Sequence, residues 1–245
     1  MVNAIITMAG LGKRFRDAGY NIPKYCIDAH GKTLFEWSML SLRNFIQQGA
    51  SFFFIVRAED QAVPFIRRHA AQLGIRNVQI LEIDHVTDGQ ATSAMLAGPL
   101  IADSGYPILI YNIDTFVHPD SLPAHATRGD GWVPCFPGKG EGWSFAAATP
   151  DKRITEIREK VRISPHATIG LYWFSSLDLY RKVYADYYSD TTRVEKGEKY
   201  IAPMYNQIIR TDGLVYLHEL PFDSVIPLGT PEEVAVFLRQ DPPAL

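Results

Sequence analysis

With 245 residues, 47% of them hydrophobic and 21% charged, the chain has the composition of a globular protein of one large domain or two small ones. A formal net charge of -3 and a pI near 6.2 carry no polyanion-binding signal and argue against duplex nucleic acid as a partner. Two cysteines, Cys26 and Cys135, cannot build a disulfide framework, and no apolar run approaches the roughly 20 residues of a membrane-crossing helix.

The amino terminus, MVNAIITMAG, lacks a basic n-region and runs straight into a strand, so no secretion signal is expected and a cytoplasmic protein is. Residues 2–8 are a continuous apolar run that reads as a buried strand feeding a tight loop at Ala9-Gly10-Leu11-Gly12. Over 33–48, Leu34, Phe35, Met39, Leu42, Phe45 and Ile46 fit one helical face, and Gly49 is a natural stop. Residues 51–57 read as a second buried strand, 60–73 as a helix that tolerates Pro64 only in its first turn, and 78–84 as a third strand. Asp88 stands where a helix N-cap belongs, ahead of 90–97. Residues 106–113 (YPILIYNI) form a fourth strand that ends at Asp114.

This alternation implies right-handed βαβ units and a parallel sheet, and ligands of such sheets lie at the carboxyl ends of the strands. The 9–12 loop, the 88–90 turn and Asp114 are thereby expected along one edge. After Asp114 the pattern changes to short strands at 132–136, 144–149, 153–158 and 168–174, interrupted by the glycine-rich 138–142 and by Ser164-Pro165. A helix over 176–188, another near 203–210, strands around 214–220 and a last helix opened by Pro231-Glu232-Glu233 complete the pattern. The expected layout is a single domain over 1–245, its second half (116–245) closing over the strand edge of the first (1–115).

Gly10 and Gly12 let the backbone approach a ligand and turn N–H groups toward anionic oxygens. A dinucleotide fingerprint needs a third glycine where Phe15 stands, and the Lys-Ser/Thr of a Walker loop is missing. What remains is a glycine turn followed by Lys13, Arg14, Arg16 and Lys24, and four cations in this short span suit a triphosphate. An aspartate that ends a buried strand is placed to hold Mg²⁺, which takes one or two protein carboxylates plus substrate phosphates. Alone, Asp114 would pass for an ordinary turn residue; opposite the cationic loop it is a metal candidate. Glu159-Lys160 follows a short strand, and Gly170 interrupts a bulky one, as a strand glycine often does where a ligand approaches the backbone closely; a surface ion pair and a β-bulge are the alternative. The seven histidines show no i, i+4 pair and no HExxH, so zinc is not expected.

In order and spacing, GLGKRF at 10–15, Pro23-Lys24, Gly89-Gln90-Ala91, Asn112-Ile113-Asp114, Glu159-Lys160 and Gly170-Leu171-Tyr172 resemble the sugar-1-phosphate nucleotidyltransferases, over residues 4–237. The resemblance implies a Rossmann-like, three-layer α/β fold akin to that of GT-A glycosyltransferases, with a mostly parallel central sheet and a smaller antiparallel part. It implies a nucleotide-binding first half and an acceptor-binding second half. Ala9, Gly10, Leu11, Gly12 and Lys13 would surround the nucleotide phosphates, and Gly89, Gln90 and Asn112 would lie toward the base. Arg14, Lys24 and Asp114 would form the catalytic group, with Asp114 on Mg²⁺. Lys160 would bind the phosphate of the second substrate, Glu159, Gly170 and Tyr172 would line its pocket, and the segment 200–206 (YIAPMYN), which begins with Tyr200, would contribute to it.

The chain departs from the family pattern where a second metal-binding aspartate precedes Gly-Thr by two residues. Here the stretch is Pro227-Leu228-Gly229-Thr230, and Asp223, four residues earlier, stands as the candidate substitute. The usual Gly-Asp is Ile113-Asp114, and the usual Glu-Lys-Pro is Glu159-Lys160-Val161. The expected partners are an NTP and a phosphorylated small molecule, with no nucleic acid and no membrane, and with homo-oligomerisation left open. The expected activity is condensation of NTP with a sugar 1-phosphate, releasing pyrophosphate, for surface polysaccharide biosynthesis. Three alternatives stay open: a non-sugar phosphomonoester as acceptor, a GT-A glycosyltransferase, and a catalytically silent nucleotide-binding protein.

Overall fold

The computed structural model describes residues 2–195 and 197–245. Its elements in chain order are β1 (Asn3–Thr7), α1 (Lys13–Asp17), β2 (Asp28–Ala29), β3 (Lys32–Thr33), α2 (Leu34–Leu40), α3 (Arg43–Gln47) and β4 (Ser51–Arg57). Then come α4 (Val63–Gln72), β5 (Asn77–Ile83), α5 (Gln90–Met95), β6 (Ile108–Asn112), β7 (Thr115–Val117), β8 (Gly131–Phe136), β9 (Ser144–Ala148) and β10 (Ile154–Glu159). The rest are β11 (Ala167–Thr168), β12 (Leu171–Phe174), α6 (Leu177–Tyr188), α7 (Tyr205–Arg210), β13 (Val215–Glu219), β14 (Val225–Pro227) and α8 (Pro231–Phe237).

Among the described residues, the main sheet has ten strands in the order β10-β9-β11-β8-β12-β6-β1-β4-β5, with β13 paired to β8. It is parallel through β6, β1, β4 and β5, and β13 runs parallel to β8; the other pairs, from β6–β12 outward, are antiparallel. Successive residues of β1 and β4 point into different cores: Ala4, Ile6, Phe52 and Phe54 face one helical layer, Ile5, Phe53 and Ile55 the other. A parallel strand buried on both faces reads as an unbroken apolar run, which is how VNAIITM and SFFFIVR look. The first layer packs α2, α3 and α4, and the second packs α5, α6 and α7, so the molecule is a three-layer α/β structure. Among the described residues, no helix is long and apolar enough to cross a membrane.

Three local expectations are corrected. The helix expected over 33–48 is two helices, because the buried Ser41 hydroxyl bonds back to the Trp37 carbonyl and also takes the N–H of Val117. The strand expected over 168–174 breaks into β11 and β12 at Gly170, whose φ of 76° no extended strand contains. Asp88 is not a helix cap: Gly89 occupies the N-cap of α5, with φ 132°.

A third apolar cluster ties the carboxyl end to the edge that carries Asp114. Phe237 of α8 meets Trp37 of α2 edge-on at 5.3 Å, and Trp37 meets Phe116 of β7 at 5.2 Å. All three are essentially inaccessible to solvent. Truncating Phe237 to alanine leaves a cavity under the β14–β7 ribbon, so Phe237→Ala is expected to lose about 3–5 kcal/mol, read as a lower urea midpoint.

Candidate functional site

The glycine loop leaves the carboxyl end of β1 and enters α1 through Gly12, a left-handed residue with φ 59° that serves as N-cap without a side-chain bond. Ala9 is buried and anchors the loop, whereas Leu11, Lys13, Arg14 and Arg16 are exposed. Phe15 is buried against Tyr20, so the cations flanking it project from an anchored turn. Lys24 follows Pro23 in a 3-10 turn, Lys24–Cys26, and a cleft opens between this turn and the loop, lined by Gly10, Leu11, Gly12, Arg16 and Lys24.

Asp114 lies in the short turn between β6 and β7. Its Oδ2 accepts from Lys24 Nζ at 2.7 Å, joining residues 90 positions apart, with both side chains about a quarter exposed or less. The loop, its cations and Asp114 therefore share one edge of the sheet, where the topology directs them.

The turn before α5 reaches the same edge. Gln90 Nε2 donates to Asn112 Oδ1 and, at 3.2 Å, to Thr7 Oγ1, and Thr7 and Asn112 are register partners in β1 and β6. The Asn112 N–H donates to the Gly170 carbonyl at 3.3 Å. A Cβ at Gly170 would collide with the Asn112 amide, so the close approach that the strand glycine signals is to Asn112.

Glu159, at the end of β10, is buried; Ser144 Oγ donates to its Oε2, and Lys160 Nζ lies 3.4 Å from its Oε1. Lys160 has φ 51°, a left-handed conformation costing roughly 1–3 kcal/mol in a non-glycine residue, and its N–H bonds to the Trp143 carbonyl. Burial works against the Lys160 charge, but the hydrogen bond to Tyr200 and the neighbouring Glu159 carboxylate outweigh it and raise the ammonium above its ordinary range. Tyr172 is fully buried, its hydroxyl 3.1 Å from Thr168 Oγ1; burial, then the charge of Glu159, push its ionisation far up, so it stays a neutral partner.

Asp223 does not join this group. It lies in the turn Phe222–Ser224 before β14, and the ribbon register pairs Val225 with Val117 and Pro227 with Thr115. The Ser224 carbonyl binds the N–H of His118, and the N–H of Leu228 binds the Asp114 carbonyl, so Asp223 sits at the far end of the ribbon from Asp114. The carboxylate that shares the Gly229 corner with Asp114 is Glu233: a Cβ on Gly229 would lie 3.5 Å from both Asp114 Oδ2 and Glu233 Oε2. Glu233 accepts from the Gly229 N–H at 2.8 Å, while its own N–H bonds to Thr230 Oγ1. Burial raises the Glu233 carboxyl, the backbone N–H groups of Gly229 and Thr230 partly offset that, and the charge of Asp114 adds to the rise. The available signal was Thr230-x-x-Glu233, a helix-capping pattern three residues past the expected metal position. Ser144 and Thr168, which complete the polar cluster of Glu159 and Tyr172, carry no such signal.

No protein-family model matches the chain, and no curated protein does. A solved structure does: a nucleoside-diphosphate-sugar pyrophosphorylase from Vibrio cholerae RC9, 36% identical, with a TM-score of 0.88 over 97% of this chain and 100% of that one. The chain belongs to the sugar-phosphate nucleotidyltransferase family. This nucleotidyltransferase also shares its fold with two more distant structures, each 16% identical. One is an inositol-1-phosphate CTP transferase from T. maritima, with a TM-score of 0.73 over 99% of this chain and 98% of that one. The other is a putative glucose-1-phosphate thymidylyltransferase from Bacillus anthracis, with a TM-score of 0.76 over 100% of this chain and 98% of that one.

The junction at Gly170 gives a direct test of the site's packing. Gly170→Ala must relieve both a positive φ and the clash with Asn112, so a loss of about 1–3 kcal/mol is expected. Chemical denaturation of the purified variant reads it, and parental stability would show that Asn112 yields freely.

Proposed function

We propose that this nucleotidyltransferase condenses an NTP with a sugar 1-phosphate, forming a nucleotide-sugar and pyrophosphate. The observation that carries the reading is the contact of Lys24 with Asp114 beside the Gly10–Gly12 loop, which joins cations and a carboxylate at the carboxyl edge of the sheet. In the reaction an oxygen of the acceptor phosphate attacks the α-phosphorus in line, one new P–O bond forms, and the bond to pyrophosphate breaks. The attacking oxygen is already an anion, so no general base is required, and the protein's task is positioning and charge neutralisation.

The loop amides and Arg14 would bind the phosphates, and Lys24 would move from Asp114 to the oxygens around the α-phosphorus. Ala9, Leu11 and Lys13 would shape that cradle. Gln90, oriented by Asn112 and Thr7, would meet the base beside Gly89. Lys160 would hold the acceptor phosphate, with Glu159, Gly170 and Tyr172 framing its pocket.

Mg²⁺ fits the residues present: Asp114 offers hard carboxylate oxygens, and Glu233 shares the Gly229 corner with it. Asp114 would hold the ion, which when bound neutralises phosphate charge. The proposal includes a role in surface polysaccharide biosynthesis, which the family likeness suggests, a cytoplasmic location, and one domain whose halves, 1–115 and 116–245, bind nucleotide and acceptor.

Two measurements test the proposal. Pyrophosphate release is measured with four NTPs against a panel of sugar 1-phosphates and non-sugar phosphate esters. One NTP and one sugar 1-phosphate should stand out. Release only with non-sugar esters would move the acceptor class, and tight NTP binding with no release against any acceptor would leave a silent binding protein. In the second measurement, Lys24→Ala should fold normally and turn over at least roughly a hundredfold more slowly. Activity within a few-fold of the parent would remove Lys24 from the mechanism.

A further inference from the structure

Two residues between the second half's helices, Lys199 and Tyr200, touch both proposed substrate sites. The backbone of Lys199 is bonded into the turn that carries Gln90: its N–H donates to the Asp88 carbonyl at 2.6 Å, and its carbonyl accepts from the Ala91 N–H at 3.1 Å. Lys199 Nζ then closes on Asp88 Oδ2 at 2.8 Å and on the Tyr184 hydroxyl at 3.2 Å. The fit leaves no room at Gly89, where a Cβ would overlap the Lys199 backbone and where φ is already 132°. One residue on, the Tyr200 hydroxyl accepts from Lys160 Nζ at 2.8 Å, with the ammonium 4.5 Å from its ring centroid. The Tyr200 carbonyl is itself fixed by the Tyr188 hydroxyl at 2.6 Å.

Lys160 alone would be poorly placed. Its ammonium is on a flexible four-carbon stem, and its carboxylate partner, Glu159 Oε1, is 3.4 Å away, longer than a good hydrogen bond. Tyr200 supplies a direction: a hydroxyl acceptor and a ring face hold the ammonium while leaving donors for an anion.

We infer that Tyr200 is a positioning residue for Lys160, and that through Lys199 the same strap joins the placement of the acceptor's phosphate to the turn that holds the nucleotide. The inference rests on the proposed role of Lys160 as the cation for the acceptor phosphate. It gives Tyr200 a specific task within the acceptor pocket, and adds a physical link between the two substrates.

The test uses the full enzyme, the best acceptor of the pyrophosphate-release matrix, and inorganic phosphate as its competitor. Tyr200→Phe keeps the ring and removes only the hydroxyl. It should raise the KM for the acceptor and the inhibition constant of phosphate about tenfold or more, with the KM for NTP and kcat within about twofold. In a Lys160→Ala background the same change should add almost nothing, because the partner it positions is gone. Unchanged acceptor KM in Tyr200→Phe, with a large rise in Lys160→Ala, would overturn the positioning role and leave the proposed function standing. Unchanged acceptor KM in Lys160→Ala would instead overturn the assignment of Lys160, and the inference with it. Gly89→Ala, which must displace Lys199, should weaken both substrates; an effect on NTP alone would sever the link.

Discussion

Strand β6 carries two different pairings, and the site depends on that. On one side it is parallel to β1, in register from Asn3–Ile108 to Thr7–Asn112; on the other it is antiparallel to β12. The parallel pairing sends β6 and β1 to the same edge, so Asp114 and the glycine loop emerge together. The antiparallel pairing returns the second half to that edge, bringing Gly170 onto Asn112. A slip of one residue in either pairing would reverse which side chains face each helical layer, and both layers are packed with buried apolar groups.

The polar groups at this edge show two kinds of restraint. Gln90, Asn112 and Thr7 hold one another, as do Glu159, Ser144 and the Tyr172–Thr168 pair, and buried polar groups require such partners. The cations are less restrained. Lys24 is held by the exchangeable Asp114, and the side chains of Arg14 and Lys13 are exposed, with no ion pair or hydrogen bond among the described residues. A chain that leaves positive groups unpaired around a glycine turn, while tying down the neutral amides and the buried carboxylate, has an arrangement suited to an anionic guest.

The carboxyl end adds a constraint of another kind. Pro227 removes the aspartate that family likeness leads one to expect, and Glu233 comes to Asp114 from the first turn of α8. The capping pattern of Thr230 and Glu233 fixes the start of that helix, and the edge-on contacts of Trp37 with Phe116 and Phe237 fix where the helix lies. Glu233 thus reaches the edge through a helix, and Asp223 is left at the other end of the ribbon.

Much was legible in the chain itself. Continuous apolar runs gave β1 and β4 because strands buried on both faces must be apolar throughout, and their alternation with helical periods implied the parallel half and its ligand edge. The 9–12 loop, the 88–90 turn and Asp114 could be placed on that edge because a strand's end is fixed by where its apolar run stops. Ser41, Gly89 and Gly170 were misjudged locally because each answers to a contact far away: the N–H of Val117, the backbone of Lys199 and the amide of Asn112. The same reason hid the place of Glu233 near Asp114 and the bond between Lys160 and Tyr200. Periodicity records which face of an element is buried, whereas the meeting of two side chains from distant elements depends on packing angles and register, which exist only once the chain has folded.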